Sequence, residues 1–203
     1  MKKILALILA FSIFLPLAYS QDNEPVNALP EKGDVRIGIG WGWAFTMRFE
    51  DRANFGHTKP ILPLHVYGDY TFLTFADGRG SLAGGAMFEF THYQTWFTQT
   101  VKTTIDWTQG ILAATATVRY NFGQDFEVFG KGFLGRTLQL GYEETYSDES
   151  YASIVPHTNG PGNSPASGLI VGFGHFTSEH MFISMQAGLG CFTTLGFGLS
   201  YKF

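Results

Sequence analysis

Six charged residues stand where the neighbouring sequence keeps charge off one face: Arg36, Asp69, Glu89, Arg119, Glu127 and Lys131, with His65 nearby. Each lies in the polar phase of a run whose alternate residues are large and apolar. Both signs are equally represented. Arg119 and Glu127 flank Gly123-Gln124-Asp125, which predicts diagonal neighbours across a hairpin, while Arg36 and Asp69 fall on adjacent runs. Two chemistries suit such a set. The charges can pair and fill a narrow interior, because buried charge is tolerable only with a partner. Alternatively, they can line a gated path for ions. The balance of signs favours pairing.

Other residues carry weaker signals. His175-Phe176-Thr177-Ser178-Glu179-His180 holds a hydroxyl, two imidazoles and a carboxylate, the types used in nucleophilic catalysis. Neighbours in a short turn seldom reach the geometry a nucleophile and base require, so the segment reads as a solvated polar turn. Glu143, Glu144, Asp148 and Glu149 lie beside Tyr142, Tyr146 and Tyr151. Their spacing is not that of a calcium-binding loop, and a solvated acidic loop is expected. His92 reads as an interface residue. The single cysteine, Cys191, has no internal disulfide partner and reads as a small apolar side chain. No catalytic set, metal site or cofactor site is predicted.

The elements that must carry these residues are strands. In the last nine residues, Leu195, Phe197, Leu199 and Tyr201 alternate with Gly196, Gly198, Ser200 and Lys202, ending on Phe203. The same period of two predicts strands over 34–45, 62–72, 81–93, 111–122, 126–142, 168–176 and 181–191. The run 126–142 is the least regular. Arg136 shares the phase of Phe126, Val128 and Leu134, which points to a bulge near Gly135 or to a rim position above lipid. For 168–176 the favoured outward set is Leu169, Val171 and Phe173. Connections alternate between short turns (75–80, 123–125 and 177–180) and long loops (46–61, 94–110 and 143–167). The last link, near Phe192 and Thr193, is short and breaks the alternation.

Eight runs of this kind predict an all-β fold: a transmembrane up-and-down antiparallel barrel with both termini on the periplasmic side and long loops outside. Ten strands would require splitting a loop, for which 98–106 is the candidate. Trp41, Trp43 and Phe45 at one end of the runs, and Tyr120, Phe122, Phe126, Tyr201 and Phe203 at the other, suit the two aromatic girdles of such a barrel. A soluble sandwich fits less well, since its strands are shorter and its loops less regularly unequal. Eight strands leave an interior just wide enough for side chains, which strengthens the ion-pair plug over the ion path.

The front of the chain agrees. Residues 1–20 have Lys2 and Lys3, an apolar run from Ile4 to Leu17 and Ala18-Tyr19-Ser20 before a cut, as in a cleaved secretory signal. No cysteine follows for lipid attachment. Residues 21–33 read as a flexible periplasmic tether, and 34–203 as the barrel. Composition is 45% hydrophobic and 16% aromatic but only 15% charged, with 25 glycines and 20 phenylalanines. An ordinary soluble domain carries nearer a quarter charged residues. Without Lys2 and Lys3, eleven basic residues face seventeen acidic ones, a net charge near −6. That balance argues against nucleic acid as a partner.

On the signal peptide, the alternation, the loop asymmetry and the terminal Gly198-x-x-Tyr201-x-Phe203, the chain over 34–203 resembles the small eight-stranded bacterial outer-membrane barrels typified by OmpX and the transmembrane domain of OmpA. The resemblance implies export by the general secretory route to the outer membrane. It also implies recognition of Gly198, Tyr201 and Phe203 by the barrel-assembly machinery. Unlike in OmpA, no periplasmic peptidoglycan-binding domain is expected after the barrel. Some barrels of this size modify lipid A, but this chain lacks the His-x-Ser-Asn-Ala sequence of the deacylases, and its Ser178 turn falls on the wrong side. The expected role is non-enzymatic: envelope structure, adhesion, or docking of a partner through the loops 46–61, 94–110 and 143–167. The alternatives are a narrow ion or solute pore and a lipid-modifying enzyme.

Overall fold

A computed structural model of the chain describes residues 28–44, 57–60, 62–98, 102–123, 125–146 and 163–203. The expected signal over 1–20, the front of the expected tether, most of the loop 46–61, and residues 147–162 lie outside them. The strands are β1 (Val35–Trp43), β2 (His57–Pro60), β3 (Leu64–Phe75), β4 (Gly80–Thr98), β5 (Lys102–Phe122), β6 (Phe126–Tyr146), β7 (Ser164–Phe176), β8 (Met181–Leu189) and β9 (Leu195–Lys202).

Eight of these close a ring in chain order. β3 pairs β4, β4 pairs β5, and so on to β9, which returns to β1. Every pairing is antiparallel, so the fold is an up-and-down barrel. Within the ring, closure pairs each strand with a neighbour on both sides. The expected count of eight holds. The extra strand, β2, comes from the loop 46–61 rather than from 98–106. It pairs with β4 at 93–96, above the stretch that pairs with β3.

The barrel is inverted relative to a soluble core. On β1, Val35, Ile37, Ile39, Trp41 and Trp43 face out, and Arg36 and three glycines face in. Leu134 is 70% exposed and Leu112 54%, while Glu127 and Asn121 are fully buried. Leu169, Val171 and Phe173 face out, as the favoured phase of β7 has it. Aromatic rings form a row across one end, from Tyr120 through Phe122 and Phe126 to Phe173, at centroid spacings of 4.9, 6.4 and 6.1 Å. Trp43 and Phe197 meet edge-on at the other end. A lipid-facing belt with a polar lumen has this distribution.

Two expectations change. First, the loop 94–110 is largely strand: β4, β5 and β6 run 19, 21 and 21 residues, against 8–13 for the other ring strands. About 9–11 residues cross a membrane. These strands exceed that length by roughly 30 Å, at ~3.3 Å per residue. Strand 126–142 likewise continues to Tyr146, so the loop 143–167 begins as strand and ends in the first residues of β7. Second, no bulge lies near Gly135. The β5–β6 register is unbroken from Leu134↔Ala114 through Arg136↔Leu112, and its irregularity falls at Thr108/Gln109. Arg136 points outward without a bulge.

Inward glycines shape the lumen. A Cβ on Gly38 would sit 2.4 Å from the Tyr67 ring, and one on Gly40 would sit 2.1 Å from the His65 ring. The glycines of β1 thus make room for the large inward side chains of β3.

Candidate functional site

Across the middle of the lumen, five of the six sequence-predicted charges form one network. Arg36 and Asp69 are direct register partners on β1 and β3, yet each reaches elsewhere. Arg36 donates two hydrogen bonds to Glu127, Nη1 to Oε1 at 2.6 Å and Nη2 to Oε2 at 2.9 Å, a bidentate pair across the barrel. Asp69 accepts from Arg119 Nη2. Arg119 Nε lies 3.8 Å from Glu127 Oε1, and Lys131 Nζ lies 4.0 Å from Asp69 Oδ2. The expected Arg119–Glu127 diagonal is present, since Glu127 lies opposite Asn121, two residues from Arg119. Lys131 Nζ also sits 3.3 Å above the Tyr67 ring. Tyr67 stacks on His65, and the Gln186 amide donates to His65 Nε2 at 3.0 Å. These groups are almost wholly buried, so the carboxylates are held by partners rather than by bulk water.

Glu89, the sixth, stands apart. Its carboxylate accepts the backbone N–H of Phe192 at 2.9 Å and of Thr193 at 2.7 Å. The link between β8 and β9 is thereby folded into the lumen. Phe192 and Cys191 pack on an apolar cluster of Met87, Ile111, Ala113, Phe133, Ala166 and Ile170. Burial pushes the Cys191 thiol up to about 12.

The opposite mouth is also filled. Phe176 and Phe182 meet at a tilt with centroids 4.8 Å apart, fully buried, with the Arg36 guanidinium 5.2 and 5.0 Å from their centroids. Ala28 packs against them. Residues 28–33, expected to belong to a tether, are docked here. Gly33 N–H donates to Thr71 O at 2.9 Å, and Lys202 Nζ donates to Leu29 O at 3.2 Å.

Above the belt, β2, β4, β5 and β6 form a raised sheet. Tyr93, Trp107 and Tyr142 are in register and form a row of tilted ring contacts at centroid spacings of 5.0 and 6.0 Å. On the other face, Gln94 donates to Asp106 at 2.9 Å and His92 hydrogen-bonds Thr108 at 2.9 Å. Glu144 accepts from both Tyr142 and Tyr146, and the latter bond holds the Tyr146 hydroxyl up to about 12. The β6–β7 ladder runs to Thr137↔Ser164, and just beyond it Gln139 N–H donates to Asn163 Oδ1 at 3.1 Å.

The residues of the 175–180 turn are separated into local roles. His175 Nε2 bonds Asp125 at 2.8 Å, and His180 Nδ1 bonds Lys202 O at 2.8 Å. Ser178 Oγ accepts the backbone N–H of His180 and Met181. Among the described residues no His, Cys, Asp or Glu group of three is placed to hold a metal. Gly198 lies inward on β9, and Tyr201 and Phe203 face out at its end, 4.7 Å apart.

Tyr67, Phe176, Phe182, Gln186 and the inward link are absent from the sequence-level set. The signal for Tyr67 was the inward glycine row opposite it. The signal for the link was its unusual shortness.

No protein-family model matches the chain, and no curated protein matches its sequence. Among solved structures, Ail, the attachment invasion locus protein of Yersinia pestis, is similar in a complex with the heparin analogue sucrose octasulfate. That match has TM-score 0.43 and 12% identity, over 85% of this chain and 100% of that one. Another structure of Ail gives TM-score 0.40 and 11% identity over the same shares.

Proposed function

We propose that this chain is a non-enzymatic barrel of the bacterial outer membrane, closed through its lumen, that acts at the cell surface by binding a partner on its raised sheet. The extra length of β4, β5 and β6 carries this reading. Crossing lipid needs about half of each of these strands. The remainder builds a platform that carries the Tyr93, Trp107 and Tyr142 rings on one face and the Gln94–Asp106 pair on the other. The apolar belt and the aromatic rows support a seat in lipid, and residues 1–20 support export through the secretory route. Gly198, Tyr201 and Phe203 are proposed as the assembly signal.

The runner-up is a narrow pore. The polar lumen favours it, but the paired charges and two filled mouths oppose it.

Shortening the platform tests the surface role. His92 and Thr108 are register partners, so replacing 93–107 with an Asn-Gly turn closes β4 onto β5 by a two-residue hairpin. Cells displaying the intact chain should be retained on surfaces coated with serum proteins, and cells displaying the shortened barrel should not. Equal retention of both, with equal surface levels, contradicts the proposal.

A further inference from the structure

We infer that the link between β8 and β9 is a latched lid over the upper lumen, with the Glu89 carboxylate as its latch. Two adjacent antiparallel strands can be joined by two residues, yet β8 and β9 are separated by five, 190–194. The surplus is turned inward. Gly190, at φ +79°, starts the turn where the chain passes so close to Ser167 that a Cβ would lie 2.2 Å from its carbonyl oxygen. Three more glycines hollow out the barrel wall beneath. A Cβ on Gly42 or Gly196 would lie 2.6 or 2.8 Å from Thr193 Cγ2, and one on Gly188 would lie 2.2 Å from Cys191 Sγ. The wall is therefore cut to receive this link.

What holds the lid down is asymmetric. Its base is tied to the barrel rim by Thr194 N–H to Trp43 O at 2.9 Å and Gly188 N–H to Thr194 O at 3.0 Å. Its tip is held by the two charge-assisted bonds to Glu89 and by the packing of Phe192 and Cys191. The rim bonds act as a hinge, and the carboxylate fixes the tip. Without Glu89, two buried N–H groups lose their acceptor, which favours swinging outward to water. Cys191 moves with the tip, so its thiol reports the lid's position.

The test is the rate at which a polar maleimide modifies Cys191 in the full-length folded barrel in detergent micelles. Folding is verified by heat-dependent gel mobility, and urea-unfolded protein sets the fully open rate. Wild type should react far more slowly than unfolded protein. Glu89→Ala and Glu89→Met, both folded, should react about tenfold faster than wild type or more, because release restores solvent access and an ordinary thiol pKa near 8.5. Glu89→Met keeps close to the side-chain volume without an oxygen acceptor, so it decides the matter where Glu89→Ala does not fold. A folded variant reacting at the wild-type rate overturns the latch. A wild type reacting as fast as unfolded protein overturns the lid.

Discussion

Arg36 and Glu127 lie 91 residues apart and hold each other by two short hydrogen bonds inside a space almost closed to water. Removing one member of such a pair leaves an uncompensated buried charge, which costs about 3–5 kcal/mol. Glu127→Ala and Arg119→Ala should each lower the unfolding free energy by that order in urea titrations of the refolded protein. Glu127→Ala should be the worse of the two, because it takes from Arg36 its bidentate carboxylate, whereas Asp69, left by Arg119→Ala, keeps Lys131 at 4.0 Å. Unchanged unfolding for both would contradict the ion-pair plug. The inward glycines give a second contrast. Gly40→Ala places a methyl group against the His65 ring and should cost about 1–3 kcal/mol by overpacking. Gly132→Ala, on the outer wall with nothing within 4 Å, should be neutral or stabilising by up to about 1 kcal/mol. The same unfolding titration checks both.

At the scale of elements, the barrel strands were legible because lipid and lumen impose opposite demands on alternate residues, as in β1 and β9. Where that contrast fades, so does the signal. Above the belt, Thr95, Thr104 and Asp106 leave the run without a uniformly apolar face, so 94–110 resembles a loop, although its β-branched and aromatic residues suit a strand. The charges were legible as a set but not in their pairing. Register partners such as Arg36 and Asp69 are fixed by neighbouring strands, whereas their actual bonds run across the lumen and require the closed ring. The short link was a hint, but its inward fold could not be read, since its acceptor, Glu89, is over a hundred residues away in the chain. If the raised sheet is an extension of the barrel rather than part of its support, replacing 93–107 with Asn-Gly should leave the heat-dependent gel mobility intact and lower the unfolding midpoint only slightly. Loss of the folded band would show that the barrel depends on the platform.

For the whole molecule, three closures stand in series along the lumen: the β8–β9 link at one mouth, the ion-pair network across the middle, and Phe176, Phe182 and residues 28–33 at the other mouth. Eight strands give little space beyond what these side chains fill. Opening any one of them leaves two in place, so a sealed interior is a property of the assembly rather than of one residue. The proposed role follows from the same division. The ring is closed and stable, and what varies outward is the platform of β2, β4, β5 and β6. The most direct test is single-channel recording of the refolded full-length protein in a planar bilayer. A sealed barrel predicts silence from protein whose heat-dependent mobility proves it folded. Stable ion steps whose size changes with Glu89→Gln or Lys131→Met would contradict it and establish a pore.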